Sequence, residues 1–237
     1  MLCKIADFIT DVQEVGGISP YLRDYVYDGE SEVQIVIQED QKKIEAMYPG
    51  DLELDFLTYL HFGYLFFSRI LPFGGLYLHA SAVEYQGKAY LFSADSGTGK
   101  STHTKLWQQV FGDQATVFND DKPILRKLDG TWYAYGTPWC GKDFINKNMK
   151  VPVAGICFLK QAGENKIRRI DKSDAALRIF EQSIRYMHRK ESLDILLSLI
   201  DRVVRDIPVF ELENRPEPEA ALLSYETMRK AAEEMDL

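Results

Sequence analysis

The sequence predicts an α/β fold: a core of mixed, largely antiparallel sheet with flanking helices around a glycine-rich loop, plus a small N-terminal α/β lobe. Three observations carry this. Residues 88–93 form an apolar strand-like run that leads into Ser96-Gly97-Thr98-Gly99-Lys100-Ser101-Thr102, and an amphipathic helical pattern follows at once. Two pairs of strand-like runs are separated by turn dipeptides, Gln86-Gly87 and Asp129-Gly130, which favours hairpins. The last third of the chain alternates helical periodicity with one short strand pattern.

Composition narrows the function before any motif is read. The 237 residues carry 28 basic and 36 acidic side chains, a net charge of −8, which argues against nucleic acid or an anionic membrane as partner. With 46% hydrophobic residues the chain can fill a sizeable core. Cys3, Cys140 and Cys157 are too few and too scattered for a disulfide framework, which fits a reducing, cytoplasmic setting. Lys4, Asp7 and Asp11 interrupt the N-terminus before a signal-peptide core can form. The apolar stretch 56–71 contains His61, Gly63 and Arg69 and falls short of the ~20 residues of a membrane span, so it reads as a buried helix.

In chain order, 4–12 and 33–37 read as strands, with turns at Gly16-Gly17 and Asp28-Gly29. A helix over 51–71 follows, and Pro72 with Gly74-Gly75 marks the boundary between the lobe (1–72) and the core (73–237). Strands are expected over 76–84 and 88–93. The helix after the loop should bury Leu106, Trp107, Val110 and Phe111 and end at Gly112. Residues 116–119 form a short strand, 124–128 and 132–135 a hairpin, and 153–159 a buried strand that 166–170 pairs with. Two helices follow. The first is capped by Ser173 and buries Leu177, Phe180, Ile184 and Met187. The second is capped by Ser192 and buries Leu193, Leu196, Ile200 and Val203. A strand over 209–212 precedes a helix that opens at Pro216–Pro218 and buries Ala221, Tyr225, Met228 and Ala232.

The glycine-rich loop carries the chemistry. Its glycines let backbone N–H groups converge on phosphate oxygens, and the helix N-terminus adds partial positive charge. Ser96, Gly97, Thr98, Gly99, Lys100, Ser101 and Thr102 are the nucleotide-binding candidates. Lys100 would reach the β- and γ-phosphates, and the Ser101 hydroxyl would ligate Mg²⁺. Ala94 stands where the full motif has its first glycine.

Asn119-Asp120-Asp121 ends the next strand, where a metal-holding carboxylate belongs, although an Asx turn explains the same residues. Successive strand residues face opposite ways, so the two aspartates can have different tasks. His79 and Ser81 share a face of the 76–84 strand, which puts His79 in reach of the phosphates or makes it a half-buried packing residue. His61 and His188 read as structural, and His103 as either. Trp139 and Lys142, in the segment Tyr135-Gly136-Thr137-Pro138-Trp139-Cys140-Gly141-Lys142, form either a lid with phosphate or acceptor contacts or an ordinary packed connection. Lys147 and Lys150 extend the positive character.

The order His79-Ala80-Ser81, glycine loop, Asp120-Asp121 resembles the HPr kinase/phosphorylase and phosphoenolpyruvate carboxykinase superfamily over about residues 76–170. It is more similar still to short HPr-kinase-related proteins, some of which phosphorylate a serine at the end of a ribosomal peptide, as in lasso-peptide gene clusters. The resemblance implies a phosphate loop fed by an antiparallel hairpin. It also implies ATP with Mg²⁺ or Mn²⁺, Asp120 as the base towards the acceptor hydroxyl, Asp121 nearer the metal together with Ser101, and His79 beside the transferred phosphate. The arginine-glycine signature linked with phosphorylase activity is not found, and the chain is far shorter than a carboxykinase.

The expected activity is therefore that of an ATP·Mg²⁺-dependent kinase acting on a hydroxyl, with Asp120, His79 and Lys100 catalytic. The acceptor would be Ser/Thr of a peptide or small protein, or else a small alcohol or amino acid. A non-catalytic ATP-binding switch is the alternative from another class, and the oligomeric state is left open, a homo-oligomer included.

Overall fold

The computed structural model describes residues 1–48, 50–183 and 190–235. Ile184, Met187 and His188 lie outside the described residues.

The N-terminal part starts with β1 (Leu2–Ile5) and β2 (Phe8–Val12), an antiparallel hairpin, with β3 (Ile35–Ile37) parallel to β2. The expected single strand over 4–12 is thus two, broken where Ala6 and Asp7 adopt positive φ of 50° and 64°. A 3-10 turn (Ser19–Tyr25) and the helix α1 (Gln41–Met47) were not anticipated. Helix α2 (Leu54–Ile70) is the apolar stretch, buried along one face at Tyr59, Phe62, Phe66, Phe67 and Ile70. Among the described residues no helix is long and apolar enough to cross a membrane.

The larger sheet holds nine strands. They are β4 (Leu76–Tyr77), β5 (Ala80–Tyr85), β6 (Lys88–Ser93), β7 (Thr116–Asn119), β8 (Ile124–Leu128), β9 (Thr131–Tyr135), β10 (Lys150–Gln161), β11 (Lys166–Arg169) and β12 (Val209–Asn214). The order runs β4-β8-β9-β10-β6-β5-β7, with β12 on β10 and β11 beyond it. Most pairs are antiparallel, including the β5–β6 hairpin that feeds the loop, but β10 runs parallel to both β6 and β12. The expected strand over 76–84 is interrupted: β4 pairs with β8 and β5 with β6 and β7, so the chain changes partners at Leu78-His79. The expected pairing of 166–170 with 153–159 does not occur, because β12 is inserted between β11 and β10.

Four helices cover this sheet: α3 (Lys100–Phe111), α4 (Lys172–Glu181), α5 (Lys190–Asp206) and α6 (Pro218–Glu234). Period-2 alternation assigns the faces. In β6, Ala89 and Leu91 join the core under α4 and α5, while Tyr90 and Phe92 join the core under α3 and α6. Helix α4 is capped by Asp171, not Ser173: the Asp171 carboxylate accepts from the Ser173 and Asp174 amides. Its buried stripe is Ala175 and Ile179, with Phe180 partly buried against the same core, whereas Leu177 is 57% exposed. Among the described residues Ser192 lies inside α5, after Lys190 and Glu191, and not at a cap position.

A third core joins the N-terminal part to the rest. It combines residues of β1, β2 and α2 with Ile124, Tyr135 and Trp139. Gly63 makes this closure fit, since a Cβ there would lie 2.9 Å from Trp139 Cδ1.

Candidate active site

Strand β6 ends at Ser93, and the loop after it turns through Gly97 (φ 83°) and Gly99 (φ 118°), conformations that cost an L side chain dearly. Gly99 is the N-cap of α3, and no side chain caps this helix. Its first N–H groups lack intrahelical partners, so they are available to an anion. Ser101 and Thr102 sit in the first turn, half-buried and exposed respectively. Lys100 is folded onto its own loop, its Nζ donating to Ala94 O at 2.8 Å. Burial lowers its pKa, and the nearby charges of Asp121 and Asp95 offset part of that.

At the end of β7 the buried Asn119 organises the turn into the aspartate pair. Its Oδ1 accepts from the Asp121 and Lys122 amides at 3.1 and 2.6 Å, the Asx turn anticipated as the alternative reading. Its Nδ2 donates to the Thr137 and Trp139 carbonyls, both at 3.1 Å, which ties down the 137–141 loop. The two aspartates have contrasting surroundings. Asp120 is 4% exposed, and its carboxylate accepts from the Gly141 amide at 2.7 Å and the Asp143 amide at 3.2 Å. Burial raises its pKa, and these two bonds do not cancel the effect. Asp121 accepts from His79 Nε2 at 3.0 Å and from Lys122 Nζ. Burial alone would raise it as well, but His79 and Lys122 outweigh burial and hold this carboxyl well below the usual range.

His79 stands at the break between β4 and β5, outside either strand, so it does not share a strand face with Ser81 as expected. Ser81 is a packing residue, bonded to Thr104 of α3 at 3.1 Å. The other nitrogen of His79, Nδ1, meets Gln182 Oε1 at 2.9 Å, and Gln182 Nε2 donates to Asp95 Oδ1 at 2.9 Å. A continuous chain therefore links Asp95 at the edge of the glycine loop to Gln182, His79 and Asp121. Gln182 presents its amide nitrogen to Asp95 and its amide oxygen to His79 Nδ1.

Other expected residues fall elsewhere. The Trp139 indole is fully buried; it donates to Tyr59 O at 3.0 Å and stacks on Phe66 at 5.1 Å. It is a packing residue and not a lid, because Gly63 gives it a slot in α2. Lys142 is exposed at a cavity beside Asp121. Lys150 does not extend a positive patch, since it pairs with Asp7 at 2.9 Å. His103 is enclosed between Ser224 and Trp107, and burial pushes its ring down to about 3. His61 is buried against Tyr48. The three cysteines are free and buried.

Two clefts flank these groups. One of about 410 Å³ lies along the loop between Gly97–Gly99 and the Gln161 and Asn214 ends of β10 and β12. The other, about 680 Å³, lies between Asp121 and the N-terminal part.

The model of a protein family, "SynChlorMet cassette protein ScmC", matches residues 51–215, more than half of the chain. The chain belongs to the ScmC family. The matched residues include the glycine loop, His79, the aspartate pair and Gln182, and leave out β1 to α1. Among solved structures the chain is similar to the HPr(Ser) kinase/phosphatase from Coxiella burnetii, at 12% identity over 68% of this chain and 92% of that one, with a TM-score of 0.37. No curated protein matches the chain.

Within this member of the ScmC family, two site residues escaped the sequence reading. Lys122 directly follows the aspartates and could have been noticed as their counter-charge. Gln182 left no signal: it terminates α4, 103 residues from His79.

Proposed function

We propose that this protein is an ATP·Mg²⁺-dependent kinase that transfers the γ-phosphoryl group to a hydroxyl, namely Ser or Thr of a peptide or small protein. The observation that carries this reading is the chain Asp95–Gln182–His79–Asp121, which couples a phosphate-type loop to a carboxylate pair. A tight strand-to-helix turn with an incidental lysine has no need of such a link.

The residues fit the nucleotide and its metal. Helix α3 opens with free amides at Gly99, and Lys100 can leave the Ala94 carbonyl for a phosphate. The cleft along Gly97–Gly99 suits the nucleoside. Mg²⁺ on a triphosphate needs only one or two protein oxygens, and Ser101 with the ionised Asp121 would supply them. The ion would neutralise charge on the phosphates when bound. Asp120, buried and with raised proton affinity, would take the acceptor proton, while His79 orients Asp121 through its Nε2.

One observation favours the reverse assignment. Asp121, not Asp120, lines the 680 Å³ cavity where an acceptor would sit, and it is Asp121 that bonds His79. Single-turnover transfer from γ-labelled ATP to serine peptides, with Mg²⁺ titrations, separates the two. If Asp120 is the base, Asp120→Asn abolishes transfer and leaves Mg·ATP binding intact, whereas Asp121→Asn raises the Mg²⁺ needed for binding. The opposite pattern assigns the base to Asp121. Near-normal transfer by both variants would end the carboxylate-base mechanism, and no transfer by the wild type to any hydroxyl acceptor would end the kinase reading.

A further inference from the structure

The cavity beside Asp121 has walls that phosphate chemistry does not require. They are aromatic and apolar: Tyr21 from the 3-10 turn, Phe56, Tyr59 and Leu60 from α2, and Phe144 from the loop after Gly141. We infer that this cavity is the acceptor site and that it takes a peptide whose hydroxyl residue is flanked by an aromatic or large aliphatic side chain. The inference rests on the kinase reading and deepens it.

Four observations select a peptide over a small alcohol. At about 680 Å³ the cavity falls in the range that holds drug-sized ligands, several times what a lone hydroxyl compound fills. Its apolar lining continues onto the surface, with Phe56 49% and Phe144 65% exposed. Phe144 is held at φ 55°, a backbone region that bulky residues seldom adopt, and stacks on Tyr21 with centroids 6.1 Å apart. So exposed a ring contributes little to the core, and its placement makes sense as a wall for a ligand. Besides Asp121 and Lys122, which pair with each other, the lining offers Asp55 and Lys142, neither with an ion-pair partner among the described residues, for polar groups of a longer chain. The hydroxyl would meet the aspartate pair while the neighbouring side chain fills the aromatic space.

The test uses serine heptapeptides that differ only beside the serine, where they carry Phe, Leu, Ala or Glu, with free serine and glycerol as small acceptors. Binding is read by fluorescence anisotropy of the labelled peptides in Mg·ADP, and transfer from γ-labelled ATP is read separately. Burying one large apolar side chain predicts that the Phe and Leu peptides bind at least about tenfold more tightly than the Ala and Glu peptides. Phe56→Ser and Phe144→Ser, both at surface positions and checked by thermal melts, should each remove most of that preference. Equal binding of all four peptides, an unchanged preference in both variants, or free serine phosphorylated as fast as the peptides overturns the inference. The two readings fail separately. Transfer without flank preference overturns the acceptor inference and keeps the kinase. Preferential binding without transfer supports the peptide site and overturns the kinase.

Discussion

Burial works against ionisation at both Asp120 and Asp121, and their partners decide the outcome. At Asp120 two backbone amides are not enough, and the pKa stays raised; at Asp121 the bonds from His79 and Lys122 win. The sign of the consequence for stability comes from linkage. A carboxyl with a lowered folded-state pKa stabilises the fold above its unfolded value, here 3.8, and that contribution is lost as pH falls below it. Thermal melts between about pH 3 and pH 7 should therefore show a steeper acid loss for the wild type than for Asp121→Asn; parallel curves would contradict the pairing. The loop, His79 and both aspartates were legible in the sequence because each belongs to a short local motif. Gln182, which joins them, was not, because a glutamine at a helix end has no pattern of its own and its contact depends on how α4 packs on the sheet.

Elements position the site through a few close approaches. The 137–141 loop, whose Gly141 amide binds Asp120, is anchored by the Trp139 indole in the slot that Gly63 leaves in α2. Trp139→Ala empties that slot. It should destabilise the protein by about 3–5 kcal/mol in urea unfolding and slow phosphoryl transfer by releasing Gly141 from Asp120; a loss below about 1 kcal/mol would mean that the indole is not an anchor. The sequence left this tryptophan open between a lid and a packed connection, because the slot is visible only once α2 is docked. The same limit explains α4 and the strands near His79. Apolar periodicity located these elements, but the way α4 packs on the sheet buries Ala175 and Ile179 rather than Leu177, and a change of strand partner at Leu78-His79 split a continuous apolar run. Hairpins closed by local turns, Lys88–Ser93 with Ala80–Tyr85 and Ile124–Leu128 with Thr131–Tyr135, were legible because turn chemistry fixes them.

At the scale of the whole molecule, the glycine loop runs beside one cleft and Asp121 beside another, so on the proposed reading donor and acceptor would approach the reacting centre from different sides. The cavity beside Asp121 is completed by the N-terminal part, whose buried residues close on Ile124, Tyr135 and Trp139. A boundary at residue 72 therefore stands as a proposal about folding units, and a cut there would uncover those three side chains. The ScmC family match begins at residue 51 and leaves the Gly16–Tyr21 wall outside it. The central claim is that the Ser96-to-Thr102 loop holds a triphosphate, and calorimetric titration of Mg·ATP into the wild type and Lys100→Ala, with a melt to show that the variant is folded, tests it most directly. Charged hydrogen bonds of about 1.5–3 kcal/mol predict an affinity loss of roughly ten- to a hundredfold. A folded Lys100→Ala protein that binds Mg·ATP as tightly as the wild type would contradict the account.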